Sequence, residues 1–403
     1  MKILIITQVF YPDTVSVSQH LTDLAVKLTE EGNEVTIYTS CYPYEDKNGR
    51  YASSEDFSGI KIKRLWQSSF GKKSTLRRLI DFLTFSFTIS LKLIFLKRKE
   101  FQLIIGTTVP PLLSFVGVLV SKLKGIKFLY WVMDLQPELS ISSGLIKQNS
   151  FVAVFFTNLG NFIIRNSNII ISLDRFMTEY LYSRGARKNS VKTIPVWPVM
   201  EETYKGSRMT NEFRIKNSFG SKIVIMYSGN HAYVHKLDTL LETALILKNN
   251  PNFLFVFVGG GVRRKDVTEY KEKNQLKNIV QLPFQPRENI HISLGSSDIQ
   301  VVILGDGQVG YTHPNKVYGA MYIGKPILYI GPEKSHVADL LRDLDGNISV
   351  RHGESQILAE KILNLFSRTQ DEISRIGNDN LLFANKNFHP DILKQLMIKV
   401  ILR

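Results

Sequence analysis

The hydrophobic residues of this chain fall into short runs that alternate with segments of helical spacing. In the first half the runs are KILIITQVF, EVTIYTS, IKIKRLW, QLIIGTT, KFLYWVMD and NIIISLD, and a helix is predicted from Ser18 to Thr29. Apolar runs of this length are typical of buried strands, and strands that alternate with helices form parallel sheets. The pattern predicts an α/β fold in which helices cover both faces of a parallel sheet.

The same alternation begins again in the second half of the chain. Strands are predicted in KIVIMYSG, FLFVFVGGG, IVQLPF, IQVVIL, PILYIG and ISVRHG, with a helix over residues 236–248. Two prolines between the two series indicate a linker near 195–215. We therefore expect two Rossmann-like, doubly wound domains that face a central cleft, with ligands bound beyond the carboxyl ends of the strands. The expected divisions are an N-terminal domain over 1–200, a C-terminal domain over 201–375 and a helical segment over 376–403.

The composition agrees with a two-domain globular protein and indicates an anionic partner. The 403 residues exceed the size at which one core usually splits, and 44% of them are hydrophobic. The 51 Lys and Arg against 36 Asp and Glu give a net charge of +15, which is typical of proteins that bind phosphate groups, nucleic acid or an acidic membrane surface. The single cysteine, Cys41, excludes an internal disulfide and a cysteine metal cluster.

Much of this charge lies beside one apolar helix. Residues 61–99 contain eleven Lys and Arg and one acid, and the apolar segment 79–96 within them approaches the length of a membrane span. Polar residues interrupt that segment at helical spacing, namely Asp81, Thr84, Thr88 and Lys92. We expect the helix to lie in the interface of an anionic membrane surface, and a core helix flanked by solvated lysines is the alternative. The opening apolar run is too short for a signal peptide, so we expect a cytoplasmic protein, peripheral on the inner face of the plasma membrane.

The turns after the strands carry the candidate chemistry of the first half. The first of them lacks the G-x-G-x-x-G of a dinucleotide site, which counts against an NAD-dependent enzyme. Ser16 and Ser18 stand near the predicted helix start, where they either help to hold an anion or cap the helix. Asp134 and Glu138 follow the strand in KFLYWVMD, where a carboxylate faces the cleft and can bond a sugar hydroxyl or steer an acceptor proton. A turn or cap role is the alternative for Asp134.

One turn of the second half suggests a diphosphate site. Gly229 and Asn230 close a strand, and His231, His235 and Lys236 follow beside a helix start. Several donors around spread negative charge suit a diphosphate. Zinc is disfavoured because no third ligand with matching context is evident, and a solvated loop is the remaining alternative.

Three further turns of the second half add weaker candidates. Gly260 and Gly261 belong to a triple glycine after a strand, which lets a ligand approach the backbone closely. Pro286 lies in an exposed turn that either borders a nucleobase or is a simple loop. Asn315 and Lys316 precede a short helix, and together with its N-terminus they suit a phosphate.

Taken together, these motifs resemble those of retaining glycosyltransferases of the GT-B fold, family four. The resemblance covers essentially the whole chain and rests on QVFYPD, HLTDLAVKLTEEGNEVTIYT, YSGN with LDTLLETA, LFVFVGGG and above all HPNKVYGAMYIGKPIL. DLQPE, the PxKxYG segment and IGPE are similar to a subgroup of bacterial surface-polysaccharide enzymes, the O-antigen and colanic-acid transferases, notably L-fucosamine transferases.

The resemblance implies an activity and a different substrate for each half of the chain. It implies a nucleotide-sugar donor, UDP-linked, in the C-terminal half, an acceptor in the N-terminal half, and a C-terminal helical segment that packs back on the N-terminal domain. It implies no metal and no cofactor besides the co-substrate. The reaction is then the retaining transfer of a sugar, such as N-acetyl-L-fucosamine or another N-acetylhexosamine, to a polyprenyl-diphosphate-linked saccharide in O-antigen, capsule or exopolysaccharide biosynthesis.

The resemblance also assigns roles to residues, and two departures from the family pattern leave questions open. Asn230 and His235 stand where many relatives carry an Arg and a Lys that grip the diphosphate, so either Lys236 or Lys316 is expected to substitute. Asp134 stands where relatives place a His or Asp near the reacting sugar, and is the first choice for a catalytic role.

The second departure concerns two glutamates that relatives carry around the PxKxYG helix. Tyr311 and Gly319 occupy those positions here, so contacts to the sugar or ribose must come from elsewhere, with Glu333 as a candidate. Tyr318 and Gly319 of the same segment are expected to belong to the donor site.

Two other classes of protein remain as rivals, and a third is weaker than either. A nucleotide-sugar epimerase of similar two-domain shape needs neither a lipid acceptor nor a basic docking helix. A nucleic-acid-binding protein explains the positive charge, but no recognised module is present and the charge is concentrated beside an apolar helix. A dehydrogenase is disfavoured by the missing glycine fingerprint.

Overall fold

The computed structural model describes residues 1–43, 49–70, 75–108, 110–200 and 202–403, and these form two compact units. The first unit comprises Met1–Val196, Gly310–His313 and Leu393–Arg403, and the second comprises Trp197–Val309 and Pro314–Ile392. A short internal segment, Gly310–His313, therefore belongs to the first unit although the chain on both sides of it belongs to the second.

In the described ranges, the first unit is built on an eight-stranded sheet. The strands are β1 Lys2–Ile6, β2 Glu34–Ser40, β3 Ser54–Phe57, β4 Ile60–Leu65, β5 Leu103–Thr107, β6 Lys127–Trp131, β7 Ile169–Ser172 and β8 Val191–Thr193. Their order in space is β3-β4-β2-β1-β5-β6-β7-β8, with parallel neighbours except for the antiparallel pair of β3 and β4. Strands β2 to β4 thus lie on one side of β1 and strands β5 to β8 on the other, so the strand order reverses its direction at β1. Ligands of such sheets bind beyond the carboxyl ends of the strands beside this reversal.

The helices of the first unit lie on the connections between these strands. They are α1 Ser16–Glu30, α2 Thr75–Ile94, α3 Pro111–Lys124, α4 Glu138–Ser142, α5 Phe151–Asn166 and α6 Arg175–Ser183. Helix α3 begins with Pro111 at its first turn, and its C-terminal end is capped by Gly125, whose φ of 68° is left-handed, so both ends follow common sequence rules. Helix α3 packs against both α2 and α5, so these three helices lie side by side.

Helix α2 is apolar on two faces. Phe85, Ile89 and Leu93 are buried against the core. Its residue Asp81 is also buried, and its carboxylate accepts hydrogen bonds from the Ser68 hydroxyl at 2.7 Å and from the Phe70 amide at 3.0 Å. The polar stripe therefore serves in part to hold the segment before the helix in place.

Lys72 and Lys73, which belong to the predicted basic segment, lie outside the described residues. Spanning a bilayer requires more length and apolarity than any helix of the described ranges provides.

The second unit, in the part of the chain that the structure describes, contains a six-stranded parallel sheet. Its strands are β9 Ile223–Ser228, β10 Phe253–Val258, β11 Ile279–Leu282, β12 Ile299–Ile303, β13 Ile327–Ile330 and β14 Ile348–Val350. Their order is β11-β10-β9-β12-β13-β14. The helices are α7 Glu212–Lys216, α8 Asp238–Ile246, α9 Arg264–Lys273, α10 Ile290–Gly295, α11 Lys316–Tyr322, α12 His336–Leu341, α13 Ser355–Phe366, α14 Gln370–Phe388 and α15 Pro390–Ile401. Helix α15 begins in the second unit and continues into the first.

In the residues that the structure describes, the predicted linker near 195–215 is packed at both ends, whereas Lys205, Gly206 and Ser207 in its middle are exposed. Trp197 is buried and α7 begins within the range, capped by the side chain of Asn211. Arg214 of α7 is buried and donates to the Ser296 carbonyl at 2.7 Å and to the Asp298 carboxylate at 3.1 Å. These bonds fasten the start of the second unit to the loop before β12, because a buried guanidinium requires partners for its donors.

Candidate functional site

The turn after β9 is shaped by three glycines that bring two loops together. Gly229 follows β9 with a φ of 128°, and its amide donates to the Val258 carbonyl of β10 at 2.8 Å. A Cβ at Gly259 would lie 2.1 Å from the Gly229 carbonyl oxygen, and one at Gly261 would lie 2.3 Å from the Asn230 Oδ1. The loop at Gly229 and Asn230 therefore occupies the space beside Gly259 and Gly261, where the sequence suggested the close approach of a ligand.

Lys316, the first residue of α11, reaches this turn from the other side. Its Nζ donates to the Tyr227 hydroxyl at 2.5 Å, lies 3.5 Å from the Asn230 carbonyl oxygen and stands 3.8 Å from the centroid of the Tyr227 ring. A Cβ at Gly229 would lie 2.6 Å from the Lys316 Cε, so the lysine side chain would have to shift, and the φ of 128° is one that residues with a side chain rarely adopt. Burial lowers the pKa of Lys316 to about 7. The Lys316 amine is thus held, half-buried, at the carboxyl end of β9.

The two histidines of the turn are neutral neighbours of Lys316. The His235 Nδ1 lies 2.9 Å from both the Tyr227 hydroxyl and the Asn230 carbonyl oxygen, and the His231 Nδ1 lies 3.2 Å from the Gly260 carbonyl oxygen. Burial, assisted by the charge of Lys316, lowers the pKa of His235 to about 3 and that of His231 to about 4. Lys236 is exposed. The geometry therefore favours Lys316 over the histidines as the cation of this turn.

The other predicted donor-site residues are spread over the second unit. Gly260 is half-buried beside the Phe284 ring, and Pro286 is exposed. Asn315 immediately precedes Lys316, whereas Tyr318 is buried and its hydroxyl lies 2.8 Å from the His336 Nε2. The remaining two differ in setting: Gly319 is half-buried on α11, and Glu333 is exposed and forms an ion pair with Arg351 at 3.0 Å. The structure thus brings together Gly229, Asn230, His235, Gly261 and Lys316, and it places Glu333, Pro286 and the Tyr318 side chain elsewhere.

In the first unit, Asp134 follows β6 at the carboxyl edge of the sheet, as the sequence predicts. Its Oδ1 accepts a hydrogen bond from the Thr312 hydroxyl at 2.5 Å, and its amide donates to the Thr108 hydroxyl at 3.2 Å. Burial raises the pKa of Asp134, while the Thr312 hydrogen bond and the proximity of His313 oppose that rise. A carboxylate held in this way is suited to orienting a hydroxyl group.

A buried acid follows the neighbouring strand, β7. Asp174 follows β7, caps α6 by accepting from the Met177 amide at 2.8 Å, and pairs with the His313 Nδ1 at 2.6 Å. Both side chains of the pair are buried. The sequence offers one signal for Asp174, since NIIISLD ends in an acid in the way that KFLYWVMD does, but it offers none for the partnership with His313.

Three further predicted site residues of the first unit are Glu138, which binds other side chains of the protein, and Ser16 and Ser18 of α1. The Glu138 carboxylate accepts from the Tyr180 hydroxyl at 2.5 Å and lies 3.8 Å from the Arg184 guanidinium. Burial and this carboxylate raise the pKa of Tyr180. Ser16 is exposed at the start of α1 and Ser18 is buried, and the N-cap residue is Val15, so neither serine caps the helix.

Metal binding has no visible basis in the described ranges. Among these residues, no group of three or more His, Cys, Asp or Glu side chains is placed to hold a metal ion. The expectation that the protein uses no metal stays a prediction.

Comparison with known proteins identifies the class of the second unit. Residues 209–378 match the family described as glycosyl transferases group 1. The probable glycosyltransferase WbjE of Pseudomonas aeruginosa is 24% identical over 63% of this chain and 64% of its own length, just under two thirds. The putative colanic acid biosynthesis glycosyl transferase WcaI of Escherichia coli is 22% identical over 80% of this chain and 82% of its own.

Solved structures match over the whole chain. Sucrose-phosphate synthase of Thermosynechococcus elongatus superposes with a TM-score of 0.79 at 13% identity, covering 100% of this chain and 98% of its own. Anabaena HepE, solved with UDP and glucose, superposes with a TM-score of 0.74 at 15% identity, covering 100% and 99%. The predicted GT-B fold class with two parallel-sheet α/β domains is confirmed, and so is the predicted enzyme class, a glycosyltransferase.

Proposed function

We propose that this protein is a retaining glycosyltransferase of family four that transfers a sugar from a UDP-sugar to a polyprenyl-diphosphate-linked saccharide. The proposed pathway is O-antigen, capsule or exopolysaccharide biosynthesis, and the proposed sugar is N-acetyl-L-fucosamine or another N-acetylhexosamine, as in the L-fucosamine-transferase-like subgroup. Two comparisons support this proposal: the colanic acid relative and the neighbour solved with UDP. No metal or further cofactor is proposed to take part.

The observation that carries the proposal is the position of Lys316 against the turn at Gly229, within the matched glycosyl transferase region. A diphosphate needs cations or N–H donors around its oxygens. The amides of Gly229 and His231 already donate to the Val258 and Gly260 carbonyls, so a side-chain cation is proposed to supply the charge. Lys316 is proposed to replace the family's usual diphosphate-binding pair.

The chemistry follows from where charge develops. As the bond between the sugar and the diphosphate breaks, negative charge grows on the leaving phosphate, and a fixed ammonium stabilises that charge more than the ground state. The acceptor hydroxyl is proposed to attack from the side of the leaving group and to pass its proton to a phosphate oxygen. Asp134, whose own Oδ1 is held by Thr312, is proposed to orient the acceptor hydroxyl.

We also propose that residues 61–99 dock the protein on an anionic membrane surface at the cytoplasmic face. Helix α2 supports this because Leu83, Phe87, Leu91 and Ile94 are exposed at helical spacing, opposite the side that packs on the core. Lys92 on the helix and Lys97 after it are exposed as well and suit acidic headgroups.

Two measurements test the proposed activity. A ligand that binds only the folded state raises the unfolding temperature with its concentration, so UDP is expected to stabilise the protein more than GDP, dTDP, CMP or NAD. Transfer from UDP-N-acetylhexosamines to a polyprenyl-diphosphate saccharide is then measured for the wild type and for Asp134→Asn. The variant is expected to lose turnover by about 100-fold or more while UDP stabilisation is unchanged.

Asp56→Asn is the matched control, because Asp56 is an exposed acid on β3 of the same unit. Stabilisation by NAD alone, or conversion of the UDP-sugar without any acceptor, would reject the transferase proposal, the latter in favour of an epimerase. Full turnover in Asp134→Asn would remove that residue from the mechanism.

A further inference from the structure

Apolar side chains are exposed at the start of α5, outside the predicted docking segment. Phe151 is 84% exposed, and Val152, Val154 and Phe155 of the same first turns are exposed too. Leu145, in the loop that leads to the helix, is also exposed. Ser150 caps the helix by accepting from the Ala153 amide at 3.2 Å, so these side chains are displayed by a formed helix end. Clusters of this kind mark interaction surfaces more often than isolated apolar residues do.

This cluster shares its helical layer with α2. Helix α3 packs between α2 and α5, and it exposes Leu119 and Leu123 at a spacing of four residues. The amide of Lys99, after α2, donates to the carbonyl of Lys124 at the end of α3 at 3.3 Å, which fixes the two helix ends beside each other. The exposed apolar residues of the three helices therefore belong to one side of the first unit.

The charge on this part of the chain is one-sided. Residues 82–173 contain nine Lys and Arg and only three Asp and Glu. The three acids are Glu100, Asp134 and Glu138, and the latter two accept hydrogen bonds from Thr312 and Tyr180. Residues 139–173, which include α5, contain no acid at all. Exposed apolar groups within a basic surface match an anionic lipid bilayer, which offers hydrocarbon behind negative headgroups.

The topology relates α5 to the candidate acceptor end. Strand β6 ends at Trp131, Asp134 follows it, and the chain then passes through the short helix α4 into α5 before returning to β7. In such a parallel unit the connecting helix begins at the carboxyl edge of the sheet. The first turn of α5 therefore stands at the edge that carries Asp134, whereas the ends of α2 and α3 stand at the opposite edge.

We propose that the first turn of α5, with Leu145 before it, is a second bilayer-inserting element, which acts together with α2 to hold the first unit on an anionic membrane. This inference rests on the proposed function, because a polyprenyl-linked acceptor lies in that membrane. Two contact points at opposite edges of the helical layer set the tilt of the unit on the surface. They place the Asp134 edge next to the headgroup layer in which the acceptor's diphosphate sits.

Site-specific fluorescence tests the proposal on the full-length protein. Cys41 is buried, so an added surface cysteine can be labelled selectively with the polarity-sensitive dye NBD. Labels are placed by Phe151→Cys on α5, by Phe87→Cys on α2 and, as the control, by Leu382→Cys on α14 of the second unit, where the exposed fraction is 58%. Each protein is mixed with phosphatidylcholine vesicles with and without phosphatidylglycerol.

The expected result is a blue shift at positions 151 and 87 with the anionic vesicles, quenching by brominated acyl chains, and no change at 382. A response at 87 without one at 151 overturns the α5 inference alone. No response at either position overturns membrane docking as well, and the UDP measurements remain as a separate test of the transferase. Unlabelled Phe151→Ser is expected to bind anionic vesicles about tenfold more weakly with UDP stabilisation unchanged. Lipid-free self-association that Phe151→Ser abolishes would show that a second copy covers this surface, and would overturn the proposal.

Discussion

Replacing Lys316 by methionine tests the centre of the proposed donor site. The change keeps most of the aliphatic side chain and removes the ammonium, whose Nζ lies 2.5 Å from the Tyr227 hydroxyl and 3.5 Å from the Asn230 carbonyl oxygen. A hydrogen bond to a charged group contributes about 1.5–3 kcal/mol, which corresponds to an affinity for UDP that falls by about 10–150-fold. Lys236→Met removes the same charge from an exposed side chain, and its effect is expected to stay below about fivefold.

The acidity of Lys316 adds a second, independent signature. Its pKa is lowered to about 7 by burial, and the diphosphate favours the charged form, so the pKa rises when UDP binds. Below that pH the ammonium is already present and affinity does not depend on this group. Above it, binding must take up a proton, and affinity falls by up to about tenfold per pH unit. At pH 8 we expect uptake of about 0.9 proton per UDP bound.

His231 and His235 do not obscure this signal, because their pKa values of about 4 and about 3 keep both neutral across the range. The nearby arginines stay charged throughout. Calorimetric titration with UDP in buffers of different ionisation enthalpy, between pH 7 and 9, measures affinity and proton uptake together. Wild-type affinity in Lys316→Met, with unchanged proton uptake, would refute the assignment. A large loss in Lys236→Met instead would transfer the role to Lys236.

Two further substitutions test the Asp134 site and the glycine turn. Thr312→Val removes the hydrogen bond that favours the carboxylate, so the pKa of Asp134 should rise further, turnover should fall by about tenfold and the acidic limb of the kcat profile should move to higher pH. Thr312→Ser should restore the wild-type profile, and an unmoved profile in the valine variant would speak against the positioning role. Gly261→Ala places a Cβ 2.3 Å from the Asn230 Oδ1 at a φ of +126°, and should lower the free energy of unfolding in urea by about 2 kcal/mol or more. Gly319→Ala, inside α11 and with its nearest neighbours at 3.9 Å, should leave the free energy of unfolding unchanged or raise it by up to about 1 kcal/mol, and a loss equal to that of Gly261→Ala would contradict the steric argument.

The sheets were largely predictable from the order of apolar runs. EVTIYTS corresponds to β2 at Glu34–Ser40, and the other predicted runs each contain a strand of the structure. Strands β3 and β8 were not predictable in this way, because β3 alternates exposed and half-buried residues and β8 has three residues with one buried. Such strands form because a neighbouring strand in the folded sheet has free hydrogen-bonding groups at its edge, and the local sequence does not show that this edge is there.

The candidate site was predictable only as separate pieces. Asp134 and Lys316 were found because each follows a strand or opens a helix, positions at which α/β sheets bind ligands. The hydrogen bond of Asp134 to Thr312 joins residues 178 apart in sequence, and the pair of Asp174 with His313 joins residues 139 apart. No spacing rule connects residues that far apart.

The sequence by itself determined the alternation of strands and helices, the two sheets, the glycine turns and the basic apolar helix, because each depends on neighbouring residues and on local backbone preference. Only the tertiary structure decided that Lys316 is the cation at the Gly229 turn, that His231 and His235 are neutral, and that α5 exposes a second apolar surface. Protonation and exposure depend on the dielectric surroundings and on partners brought in by folding, and these are properties of packed neighbours that the order of residues does not display.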